Sequence, residues 1–89
     1  MWIKCQPIYG QQHVLNTEHI IDIWNVSNTS TEYEIQASTT DCGVKTLGQY
    51  PHAQMLIVMD MLFDALESKE KVFEMPKARS DGFECRVDL

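Results

Sequence analysis

Eighty-nine residues, 44% of them hydrophobic and 22% charged, leave room for one globular domain and argue against a chain that is disordered throughout. Thirteen acidic against seven basic side chains give a formal charge of −6, which argues against general nucleic-acid or anionic-membrane binding, for which clustered Lys and Arg are needed. The charge is uneven. Residues 1–68 carry only Lys4 and Lys45 against Glu18, Asp22, Glu32, Glu34, Asp41, Asp60, Asp64 and Glu67, so the acidity resides on the expected folded body.

The opening Trp2-Ile3-Lys4-Cys5 reads as a short strand and lacks the apolar stretch of a signal peptide. The next five residues, through Gly10, are turn-like. His13-Val14-Leu15 returns as a partner strand, and Asn16-Thr17-Glu18 forms a turn or a single helical turn. Residues 20–26 are rich in β-branched and aromatic side chains and predict a strand. Residues 32–37 alternate strictly between charged or polar and apolar, which predicts a second strand with one wet face.

A hairpin loop at 27–31 sets Trp24 opposite Glu34 and Ile23 opposite Ile35. One face then carries Ile21, Ile23, Tyr33, Ile35 and Ala37, the expected core side. The other carries Ile20, Asp22, Trp24, Val26, Glu32, Glu34 and Gln36. A slip of one residue would bury Glu32 and Glu34, so this facing is strongly specified. After a turn at 40–43, residues 44–47 predict another strand. Short connections favour an antiparallel meander.

Residues 51–68 predict the one long helix, with Pro51 suited to its first turn. Met55, Met59, Leu62 and Leu66, widened by Val58 and Ala65, form its core stripe. Leu56, Ile57, Met61 and Phe63 lie outside that stripe and are candidates for the seam of a homodimer. Residues 69–89 read as a C-terminal extension. Alternation at 73–75 and 83–89, around a turn-rich segment, predicts a hairpin or edge strand, which either covers the helix or pairs with another chain. The whole is expected to be a single α+β domain over residues 1–89. It comprises a small antiparallel β-meander of four or more strands with one helix packed on it, and a possible C-terminal strand. Ile23, Tyr33, Ile35, Met59 and Leu62 should be mostly buried.

Trp2-Ile3-Lys4, then Val14-Leu15-Asn16 with Ile20-Ile21, and an aromatic in Leu47-Gly48-Gln49-Tyr50 before the helix make a combined pattern. Over residues 1–68 it resembles a group of short, mostly uncharacterised bacterial and phage proteins. The resemblance implies a small meander-plus-helix domain and a phage or mobile-element origin. It implies no catalytic residue.

The chemistry-bearing residues are sparse. Cys5, Cys42 and Cys85 are odd in number and widely spaced, which fits free thiols in a reducing cytoplasm rather than a disulfide framework. No pair among these cysteines and His13, His19 and His52 has the spacing of zinc ligands, so no metal is expected. Cys42 precedes Gly43 in a turn, and the sequence shows neither the nearby His nor the thiolate-stabilising setting that a catalytic thiol needs. Glu32, Glu34 and Asp22 share a convex strand face, where no cleft separates their acidities. Isolated glycines provide no phosphate loop.

The expectation is therefore a non-catalytic protein-binding module without cofactor. Its partner patch is Trp24, Ile20 and Val26 rimmed by Glu32, Glu34 and Asp22. An acidic rim suits a host protein with a basic surface, as in a phage inhibitor of a nucleic-acid-binding enzyme. The alternatives are a structural or regulatory homodimer and a small-molecule binder with a pocket between protomers.

Overall fold

A computed structural model of the chain describes residues 1–7, 12–40 and 43–78. The order of elements is β1 (Trp2–Lys4), β2 (Val14–Asn16), a 3-10 turn (Thr17–His19), β3 (Ile20–Ser27), β4 (Glu32–Thr39), β5 (Gly43–Pro51), α1 (His52–Glu67) and β6 (Val72–Glu74). The α+β class and the meander-plus-helix layout are as the sequence predicts. The strands, however, divide into two three-stranded sheets, ordered β2-β1-β6 and β3-β4-β5. The second is an antiparallel meander. In the first, β6 lies parallel to β1, with Ile3 beside Phe73. The predicted strand at 83–89 lies outside the described residues, as do Cys42 and Cys85.

The two-residue sequence period governs the β3–β4–β5 sheet. Trp24 pairs with Gln36 and Ile23 with Ala37, a register two residues from the predicted one. A shift of two preserves facing, so Trp24, Val26, Glu34 and Gln36 still share one face. A bulge between Ile20 and Asp22 changes the start of the strand. Ile20 pairs with the buried Thr39 and packs against the core, while Ile21 is left 62% exposed. This corrects the predicted facing of both residues, because one inserted residue reverses every side chain before it.

The other face of this sheet carries the core. Ile35, Ala37 and Leu47 meet Met55, Val58, Met59 and Leu62 of α1, with Ile3, Cys5 and Met75 from the second sheet's neighbourhood. The predicted helical stripe is the buried one. Ile35, Met59 and Leu62 are buried, and Ile23 and Tyr33 are partly so. Tyr33 also lies against the His52 ring at the start of α1, centroids 4.8 Å apart. The helix ends where Glu70 N–H donates to Ala65 O and Lys69 takes the left-handed φ of 58°, turning the chain towards β6.

Gln6 joins the two sheets. Its backbone N–H donates to Leu47 O at 2.7 Å, its side-chain oxygen accepts from Gln49 N–H at 2.8 Å, and its Nε2 donates to Pro76 O at 3.3 Å. In the sequence Gln6 falls in a turn-like stretch, because nothing in composition marks a glutamine as a bridge.

Candidate protein-interaction face

The face of the β3–β4–β5 sheet turned away from α1 carries Asp22, Trp24 and Val26 from β3, Glu32, Glu34 and Gln36 from β4, and Val44, Thr46 and Gln49 from β5. The helix α1 packs on the other face. The alternating pattern of β4 produces this face, and the meander places Trp24 beside Gln36 with Thr46 beyond. Trp24 is half-buried among these neighbours, and Val26 is exposed.

Among the described residues its charges are of one sign: Asp22, Glu32 and Glu34 are on it, and no Lys or Arg of the three strands is. Lys45 pairs with Ala37 on the opposite face. Glu34 is held in place. One carboxylate oxygen accepts from Gln36 Nε2 at 2.9 Å and from Thr46 Oγ1 at 3.2 Å. An oriented carboxylate near an indole is suited to a cationic side chain, which the ring face attracts as well.

Of the six predicted partner residues, the structure brings together Asp22, Trp24, Val26, Glu32 and Glu34. Ile20 is absent from this face for the reason given above. Gln36, Thr46 and Gln49 complete it. Only Gln36 was legible as a member, because a second bulge in β5, between the partners of Ile35 and Gln36, hides the facing of Thr46 and Gln49 in the sequence.

The four predicted seam residues on α1 are half-exposed: Leu56 51%, Ile57 56%, Met61 44% and Phe63 45%. They do not form one patch. At 100° per residue Leu56 and Phe63 fall on one flank of the buried stripe, and Ile57 and Met61 on the other. Asp60, Asp64 and Glu67 form the ridge between them. Phe63 opens onto a groove beside β3, and Met61 onto a groove beside β6.

Cys5 is a buried core residue. Burial pushes its thiol above the ordinary value, with Lys45 opposing weakly. Burial also raises the Tyr50 phenol strongly, helped by repulsion from a charged Cys5, and the phenol donates to Pro76 O at 2.7 Å. Both groups are neutral when protonated and their folded values are raised. Their stabilisation is therefore complete below the unfolded-state values and is lost as pH rises towards the folded ones. Urea midpoints should stay flat through neutrality and fall once pH exceeds the ordinary thiol value of 9.0. Cys5→Ala should delay the fall. An unchanged alkaline profile in that variant would show that Cys5 does not contribute.

Among the described residues no three His, Cys, Asp or Glu side chains are grouped to hold a metal ion, and no helix is long and apolar enough to cross a membrane. Compared with known protein families, curated proteins and solved structures, the chain matches none.

Proposed function

We propose that the chain is a non-catalytic module that binds a protein partner with a basic surface, acting in the cytoplasm. The observation that carries this reading is the sheet face turned away from α1, with Trp24 and Val26 set among Asp22, Glu32 and the oriented Glu34, and with no Lys or Arg of its three strands on it. An aromatic within a charged polar surround is how energetically dominant contacts are built, and single-sign carboxylates steer a cationic partner. A nucleic-acid-binding enzyme offers such a surface. Carboxylates on a strand face can stand in for backbone phosphates, which agrees with the phage-like resemblance of the sequence.

Affinity capture with the tagged chain tests this. A stoichiometric basic protein should be retained at about 0.05 M salt and released at about 0.5 M, where the screening length shortens from about 14 Å to about 4 Å. Trp24→Ala should weaken the isolated complex by at least about tenfold, as for a central aromatic contact. Glu32→Lys with Glu34→Lys should abolish it. A complex indifferent to salt and to all three substitutions would dismiss the face as the binding surface.

A homodimer is the second reading, favoured by the half-exposed Leu56, Ile57, Met61 and Phe63. Their separation by an acidic ridge means that one two-fold contact would use one flank. Sedimentation of the wild type and of Phe63→Glu and Met61→Glu would identify which.

A further inference from the structure

β3 is an outer strand of its sheet, and among the described residues it pairs only with β4. Its free edge presents main-chain N–H and C=O groups to any strand that approaches. The devices that usually blunt such an edge are scarce. The eight residues Ile20–Ser27 include no Pro and no Lys, and their bulge is confined to the first turn of the ladder.

The edge borders an apolar groove. Ile20, Ile21, Asp22 and Ile23 line it from β3, Phe63 and Leu66 from α1, and Thr17 from the 3-10 turn. Asp60 and Glu67 lie three residues before and four after Phe63, on its own side of the helical ridge. Together β3 and α1 carry Asp22, Asp60, Asp64 and Glu67 and no Lys or Arg. The groove is lined mainly by apolar side chains, and the charged residues of the two elements beside it are all acidic.

We propose that this edge receives an extended segment of the partner as a fourth strand beside β3, a segment that alternates apolar and basic residues. The inference rests on the protein-binding reading above and names the mode of recognition. A strand has a side-chain period of two. Its apolar residues would enter the groove over Ile23, Phe63 and Leu66. Its Lys or Arg residues would emerge on the opposite face, beside Asp22 and Trp24. Main-chain pairing supplies affinity and the alternating pockets supply selectivity. A second copy of β3 is a poorer occupant, because it brings another Asp22 and no cation to an already acidic edge.

The probe is the synthetic peptide Thr-Lys-Ile-Lys-Val-Lys-Val-Thr, added to isotopically labelled full chain. Saturable shifts are expected at the amides of β3, with slowed exchange of its outward N–H groups. Replacing the lysines by glutamate, or N-methylating alternate peptide nitrogens, should each weaken binding by about tenfold or more. So should Ile21→Lys, at a residue exposed enough to leave the fold intact. Binding that tolerates N-methylation or Ile21→Lys overturns strand addition in this groove. If the peptide shifts Gln36, Val44 and Thr46 while the β3 edge stays silent, the edge inference falls and the sheet-face reading stands. Concentration-dependent protection of β3 in the protein alone would make the occupant a second copy and overturn the proposal. No saturable binding by about 1 mM, the weak end of useful affinity, also overturns it.

Discussion

Gly48→Ala should destabilise the fold by about 1–3 kcal/mol, the usual range for overpacking a core. A methyl at residue 48 would stand 2.7 Å from both Cε2 and the hydroxyl oxygen of Tyr50 and 2.9 Å from its Cζ. The Tyr50 ring has nowhere to retreat. It is fully buried, and its hydroxyl is tied to Pro76 O at 2.7 Å. Moving it also endangers that hydrogen bond, worth about 1 kcal/mol net. Alanine loses less backbone freedom than glycine on folding, a gain of about 0.5–1 kcal/mol that does not offset the clash. Urea unfolding followed by tryptophan fluorescence measures the loss. The cause can be isolated with Tyr50→Leu, which removes the ring. If the clash is the reason, the double variant should be more stable than the sum of the single effects by about 0.5–3 kcal/mol, as for residues in contact. Strict additivity would place the damage elsewhere.

Leu62→Ala should cost more, about 2–5 kcal/mol, the range for buried leucines whose removal leaves a cavity. Leu62 is fully buried in the cluster that holds Met55, Val58 and Met59 of α1 to Ile35 and Leu47 of the sheet. For a domain of this size that is a large part of the total stability. Leu56→Ala, one and a half turns earlier on a half-exposed flank, is the control and should change stability by less than about 1 kcal/mol, since little further burial is lost. Equal effects at the two positions would mean that the helix is rotated from the orientation described.

The contrast between Leu62 and Leu56 was legible in the sequence. Helical spacing alone separates residues 55, 58, 59, 62, 65 and 66 from the rest, because an amphipathic helix on a sheet buries one sector of its circumference. The alternation of residues 32–37 likewise determined which side of the sheet would be wet, and with it the placement of five of the six residues proposed for the partner patch. Ile20 was not legible. The bulge beside it is a backbone hydrogen-bonding choice, and Ile20 and Ile21 are the same side chain, so composition cannot say which one turns inward. The bulge in β5, which buries Leu47 and decides the facing of Thr46 and Gln49, is hidden for the same reason.

Helical spacing also marked Leu56, Ile57, Met61 and Phe63 as lying outside the stripe, but not which sheet edge each flank would border. That follows from the parallel docking of β6 against β1, a pairing between residues some seventy positions apart. Short strands of this kind carry no record of their partners, because main-chain N–H and C=O groups are the same at every residue. Local periodicity was therefore sufficient for the elements and their faces. The division into two sheets and the Gln6 bridge between them arise from non-local hydrogen bonds, and only the tertiary structure decided them and the place of β3 at the outside of its sheet among the described residues.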